Sequence, residues 1–282
     1  MKAKLALMAF LLPLSVAAND RFADTKVTAV PVNNNVHVLY GAGGNIGALT
    51  GPEGILIIDD QFEPLAPKIE KALAGIASDD DDKVKFVVNT HYHGDHTGSN
   101  KYFAKSASIL AHENVRKRLS VQGSGAGLPV ITYEDGVKLH LNGERVHVKH
   151  LAAGHTDGDS VVFFEKANVW HLGDLFFQAR FPYVDIKGGG TVAGYVANLK
   201  TLMTKISDDA KVIPGHGELT NKQSLQDVIE MIEATVKEVK AMKASGMSEQ
   251  KIIDKGLDKR WKAWGWRFIT EERWIKTLFQ SV

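Results

Sequence analysis

The chain reads as an α+β protein built as a four-layer αββα sandwich. Short apolar runs separated by turn residues form a strand block interspersed with helical stretches, this block is given twice, and the last third of the chain turns to helical periodicity. Strand blocks with helices, repeated, argue for two packed mixed sheets with helices outside. In chain order, residues 26–32 (KVTAVPV), 35–40 (NVHVLY) and 54–59 (GILIID) read as short strands. Residues 62–77 read as a helix and 84–89 (VKFVVN) as the next strand. A short helix near 99–105, the strand 108–112 (SILAH) and the helix 113–122 follow. Residues 136–151 read as paired strands, with Asn142 and Gly143 as a two-residue hairpin turn. The strands 160–164 and 167–174, the helix 191–206 and the strand 211–215 complete the second block.

Beyond Gly217, apolar Val228, Ile229, Ile232, Val236 and Val239 recur at three- and four-residue spacing, and Gly246 ends the run. Residues 248–268 and 270–280 read as two more helices, so a helical extension is expected over about 222–282. Four of the five tryptophans lie there. They read as packing onto the sandwich in preference to a partner or membrane surface, because aromatics dominate cores.

Length and composition narrow the function classes. The 282 residues suit one large domain, and a net charge of +1 gives no polyelectrolyte signal, so nucleic acid is not an expected partner. Residues 1–18 carry two lysines, an apolar stretch and small residues, with Val16 and Ala18 placed before a cleavage point. This predicts a secretory signal peptide, a mature domain over 19–282, and a periplasmic or secreted protein. After residue 20 nothing is apolar long enough to cross a membrane. With no cysteine there are no disulfides, so stability rests on core packing and any bound metal. Asp79 to Asp82 read as a solvated loop.

The stretch HYHGDHTGSN, beginning at His91, places three histidines and one aspartate within six residues, directly after an apolar run. Imidazole and carboxylate are the donors that zinc and similar metals take, and a catalytic zinc commonly uses three protein ligands and leaves one position for water. His91 and His93, two apart, point the same way on an extended segment, whereas Asp95 and His96 fall past Gly94, where the chain can turn. That spacing suggests two neighbouring ligand sets. Further donors stand where apolar runs meet glycine: His155 after Gly154, Asp174 after Gly173, and His216 between Gly215 and Gly217. His112, His140, His147, His150 and His171 read as strand or loop residues.

From about Val36 to Gly217 these residues resemble the metallo-beta-lactamase fold hydrolases, which share a histidine-any-histidine-any-aspartate-histidine signature followed by single distant ligands. The resemblance implies that His91, His93 and His155 hold one zinc, that Asp95, His96 and His216 hold a second, and that Asp174 bridges them. It also implies that Asp59, at the end of ILIIDD, supports the ligands by accepting hydrogen bonds. The family's best-known beta-lactamases carry a cysteine at the second zinc. Asp174 stands near that point instead, as in glyoxalase II type thioesterases, lactonases and phosphodiesterases.

The expected activity is that of a dinuclear zinc hydrolase acting on a small molecule, most simply a cyclic amide or ester. A hydroxide bridging the two zincs would attack, and Asp95 would orient it or carry a proton. Lactonase or thioesterase activity is the alternative, and an iron-dependent oxygen or sulfur redox enzyme on the same ligand frame is an alternative of another class. For substrate, the resemblance aligns residues 40–45, with Gly43 and Gly44, with a flexible covering loop. Lys187 is a candidate partner for a substrate carboxylate and Asn198 for the scissile carbonyl.

Overall fold

A computed structural model describes residues 21–77 and 82–282. The export segment expected at 1–18, and residues 79–81 of the acidic run, lie outside the described residues.

The first sheet runs β1 (Thr28–Asn33), β2 (Val36–Tyr40), β3 (Ile46–Leu49), β4 (Ile55–Ile58), β5 (Val84–Val88), β6 (Ser108–His112), β7 (Ile131–Tyr133), neighbouring in that order. It is antiparallel as far as β4 and parallel from β4 to β7. Parallel neighbours need crossovers. These are α1 (Ala66–Ala74) before β5, the short α2 (Gly94–Thr97) and α3 (Asn100–Phe103) before β6, and α4 (Glu113–Val121) before β7.

The second sheet contains β8 (Gly136–Leu141), β9 (Glu144–His150), β10 (Ser160–Phe164), β11 (Val169–His171) and β12 (Lys211–Ile213), ordered β12-β11-β10-β9-β8. Asn142 and Gly143 both take positive φ, 53° and 71°, as the predicted two-residue hairpin requires. The parallel step from β11 to β12 is carried by α5 (Val192–Met203), capped by the Thr191 hydroxyl. Three helices follow: α6 (Lys222–Ala244), α7 (Glu249–Lys255) and α8 (Glu271–Ser281), capped by Asn221, Ser248 and Thr270.

Alternation along the strands makes the layers. Val36, Val38, Leu56 and Ile58 of the first sheet meet Val146, Val148, Val162 and Phe164 of the second in the central core. Their neighbours Leu39, Ile55 and Ile57 turn the other way, onto Ile69 and Leu73 of α1. On the far side, Val161, Trp170 and Val212 pack under Leu199 and Leu202 of α5 and Val228 and Ile232 of α6. Each large apolar side chain buried in this way contributes about 1.5–3 kcal/mol. The result is helices, sheet, sheet, helices, the αββα order expected. Trp274 of α8 is fully buried, and its Nε1 donates to Thr235 Oγ1 of α6 at 3.0 Å.

Three elements differ from expectation. Residues 46–49, given no strand in the sequence reading, form β3, in which Gly47 has no side chain because the ring of His171 lies against it. Residues 131–133 form the edge strand β7, too short for its alternation to show. The single helix expected over 248–268 ends at Gly256, whose φ of 73° is left-handed, and resumes only as a 3-10 turn at Lys259–Trp264. Among the described residues no helix is long and apolar enough to cross a membrane.

Candidate metal centre

Strand β5 stops at Val88, the chain bends through residues 90–92, and α2 begins after its N-cap, His93. This segment brings His91, His93, Asp95 and His96 from the first sheet. The second sheet supplies the others: His155 from the β9–β10 loop, Asp174 from the single turn after β11, and His216 after β12. Their donor atoms fall into two groups, His91, His93, His155 and Asp174, and Asp95, His96 and His216, each within 4.8 Å.

Asp174 faces both groups. Its Oδ2 lies 3.5 Å from His155 Nε2 and 3.8 Å from His91 Nε2. Its Oδ1 lies 3.1 Å from His96 Nε2 and 3.4 Å from His216 Nε2. Asp95 Oδ2 stands 3.3 Å from His216 Nε2.

Hydrogen bonds behind the imidazoles fix which nitrogen faces inward. His96 Nδ1 donates to Asp59 Oδ2 at 2.7 Å, and Asp59 also accepts from the Thr90 backbone N–H at 2.7 Å and hydroxyl at 2.8 Å. Asp59 does this from a left-handed backbone, φ 64°, at the end of β4. His91 Nδ1 donates to Thr90 Oγ1 at 3.0 Å, and His155 Nδ1 to the Tyr183 carbonyl at 2.7 Å. His93 is reversed: Nε2 donates to Asp185 Oδ2 at 3.0 Å, while Nδ1 lies 2.9 Å from His155 Nε2. Tyr92 OH donates to the same Asp185 oxygen. Asp159 holds the His155 loop, accepting from the backbone N–H of His155 at 2.7 Å and of Thr156 at 2.9 Å.

The inward atoms test whether a metal fits. His91 Nε2, His96 Nε2 and Asp174 Oδ1 are buried without a hydrogen-bond partner, and all three point into the centre. Unpaired buried polar atoms are costly, and a divalent cation of zinc's type, taking imidazole nitrogen and carboxylate oxygen, satisfies them together. Two glycines make room: a Cβ on Gly44 would come within 2.1 Å of the His96 ring, and one on Gly215 within 2.1 Å of Asp174 Oδ1.

Electrostatics agree with this fit. Burial, aided by neighbouring imidazoles, pushes His91 well down, and burial takes His155 down to about 4, so both are neutral and ready to donate a lone pair. Burial works against protonation of His216 too, but Asp174 and Asp95 outweigh it and raise it to about 9. At Asp174 burial opposes the charge, yet His96 and His216 hold the carboxyl well below its usual range. These protons are the ones a bound cation displaces.

The centre opens into a cleft of about 720 Å³. Its floor carries His93, Asp95, Asp174 and His216, and its walls are aromatic: Phe22 and Phe62 on one side, Phe177, Tyr183, Trp266 and Phe268 on the other.

The expected substrate residues are placed differently. Lys187 is exposed and lies outside the cleft lining. Asn198 is buried on α5, where its amide donates to the Ala152 carbonyl at 2.5 Å, so it braces the His155 loop and does not reach substrate. Gly43 lines the cleft, and the residues that follow it are tied to neighbouring segments by hydrogen bonds. Gly44 N–H donates to the Asp95 carbonyl at 3.0 Å, Asn45 N–H to the Gly215 carbonyl at 2.8 Å, and Gln61 Nε2 to the Gly44 carbonyl at 2.7 Å. His171 is a structural residue, bonded through Nε2 to the Asn45 carbonyl at 3.0 Å.

Sequence reasoning missed Asp185, Asp159 and the aromatic wall. Asp185 carries no signal in the sequence that separates it from other loop carboxylates. Trp266 was grouped with the packing tryptophans.

Comparison with known proteins agrees with the fold. A curated relative, metallo-beta-lactamase IND-1 of Chryseobacterium indologenes, is 24% identical over 211 residues, covering 72% of this chain and 87% of the relative. A hydroxyacylglutathione hydrolase of Prochlorococcus marinus is 26% identical over 124 residues, which is 43% of this chain and 47% of that enzyme. The solved structure of a metallo-beta-lactamase from Pontibacter korlensis superposes with a TM-score of 0.63 at 16% identity, covering 74% of this chain and 99% of that one. The model of the Metallo-beta-lactamase superfamily matches residues 39–216, from β2 through the last of the seven donors. The chain belongs to the metallo-beta-lactamase superfamily.

Proposed function

We propose that this chain is a hydrolase using two zinc ions, acting on a cyclic amide or ester of a small molecule in the manner of a beta-lactamase. The observation that carries the reading is the division of Asp174, one oxygen toward His91 and His155 and the other toward His96 and His216. His91, His93, His155 and Asp174 would hold one metal, and Asp95, His96, His216 and Asp174 the other. Bound there, the metals supply Lewis acidity and lower the pKa of a bound water toward neutrality.

The chain's own residues do the rest. Asp59, Thr90, Tyr183 and Asp185 keep the imidazoles of His96, His91, His155 and His93 turned so that one nitrogen faces the centre. Burial disfavours ionised Asp95, but His96 and His216 outweigh it and hold it ionised at the cleft floor, where it accepts the proton released when water attacks. The aromatic walls keep bulk water from the reacting group. The segment 1–18 supports export to the periplasm or beyond as part of the same proposal.

Lactone or thioester hydrolysis is the second reading. It is favoured by Asp174 as the shared donor in a chain without cysteine, and by the likeness to hydroxyacylglutathione hydrolase. A panel of beta-lactams, lactones, thioesters and phosphodiesters, assayed with and without chelator, decides between them. Turnover that chelator abolishes and zinc restores is expected. Stoichiometric iron in protein purified without added metal, with redox turnover and no hydrolysis, would overturn the hydrolase reading.

A further inference from the structure

The superfamily match ends at residue 216, yet the wall facing the metal centre is completed by residues 266–268, fifty positions later. The segment is fixed in place. Trp266 Nε1 donates to the Phe181 carbonyl at 2.9 Å, Phe181 N–H donates to the Trp264 carbonyl at 2.9 Å, and Trp266 N–H donates to the Ile269 carbonyl at 3.0 Å. Ile269 is buried, and α8 anchors the far side through fully buried Trp274.

Held in this way, the segment closes an aromatic arc between the two donor groups. The Trp266 ring lies 6.0 Å from that of His216; Phe268 follows 5.6 Å from Trp266; Tyr183 stands 5.3 Å from Phe268 and 5.5 Å from His93. A flat apolar group entering the cleft meets ring faces and edges along the whole path.

Four arginines surround the arc, and three are engaged. Arg180 lies over Trp266, Arg273 over Phe268 and Tyr183, and Arg21 over Phe22 and Phe62 across the opening. Arg267 lines the cleft between Trp266 and Phe268, and among the described residues it has no carboxylate at ion-pair distance and no ring beneath it. Its guanidinium is a planar donor suited to a carboxylate.

We propose that Trp266, Arg267 and Phe268 form a specificity element, taking substrates that carry an aromatic group and a carboxylate, the aromatic group against the arc and the carboxylate on Arg267. This deepens the hydrolase reading by naming the substrate class at the same centre. The chain's near-neutral net charge makes the attraction local to this cleft.

The test is binding, and it needs no turnover. Quenching of tryptophan fluorescence by 2-naphthoate and by the neutral 2-naphthamide is measured on the full chain, metal-loaded and chelator-treated. In both states the parent chain should bind naphthoate more tightly than the amide. Arg267→Ala should weaken naphthoate about tenfold or more, as expected for a lost charge-assisted hydrogen bond, and leave the amide within twofold. Arg267→Lys should recover part of the loss, and Trp266→Leu should weaken both ligands, followed by calorimetry where quenching is lost. Arg267 is exposed, so its variants are expected to keep the parent's melting temperature. Equal binding of the two ligands by the parent chain, or unchanged naphthoate binding in Arg267→Ala, overturns the proposal. A chain that discriminates the ligands yet hydrolyses nothing in the panel sinks the hydrolase reading and leaves this element standing.

Discussion

Asp185 Oδ2 stands 3.0 Å from His93 Nε2 and also accepts the Tyr92 hydroxyl, so one carboxylate orients an imidazole 92 positions away in the chain. Burial works against its charge, but the hydrogen bonds from His93 and Tyr92 hold it below the usual carboxylate range. Asp185→Ala should lower metal affinity about 10- to 100-fold, the usual effect of removing such a partner. Competition against a chromophoric chelator measures it, and an unchanged affinity would show that His93 is oriented without Asp185.

Gly215→Ala tests the fit of the shared carboxylate. Its Cβ would lie 2.1 Å from Asp174 Oδ1, the oxygen facing His96 and His216. That Cβ would also lie 2.6 Å from the Gly173 carbonyl carbon and oxygen, so the turn bearing Asp174 must shift, and the variant should bind at most one metal per chain by plasma emission analysis. Two metals bound at parent affinity would contradict the geometry.

For chelator-stripped protein the pH dependence has a definite sign. His216 is raised from an ordinary 6.5 to about 9, so the stability its proton supplies is complete below pH 6.5 and is lost as pH rises through 9. Its partial exposure and coupling to His96 reduce the effect to about 2 kcal/mol. Urea unfolding should give a higher midpoint at pH 6 than at pH 10, and His216→Asn should flatten that difference. The same proton makes metal uptake by the second group pH-dependent, weakening as pH falls below about 9 while His155, lowered to about 4, still binds.

Trp274→Ala removes a fully buried ring and the hydrogen bond to Thr235. A loss of about 3–5 kcal/mol is expected, read by denaturant titration. Because α8 anchors the segment bearing Trp266, naphthoate binding should fall as well.

The donors were legible because histidine and aspartate are informative residue types at the ends of apolar runs, clustered from His91 to His96 and standing singly beside glycine at His155, Asp174 and His216. Asp59, at the end of ILIIDD, was legible through the family resemblance. Asp185 was not, since its role arises from a loop path that returns under His93. Lys187 and Asn198 were chosen by chemistry alone, and chemistry does not say which way a helix or loop turns: one faces solvent and the other the Ala152 carbonyl. Strand β3 was hidden by Gly47, whose missing side chain interrupts the apolar pattern to admit the ring of His171.

Four donors follow a strand of the first sheet and three follow strands of the second, so the centre straddles the seam between sheets that otherwise meet through apolar side chains. No half of the chain can assemble it. A cation held there would need both sheets docked and would rivet them, so that on the proposed reading its release and unfolding would be linked, tying the lifetime of the native chain to the occupancy of its chemistry.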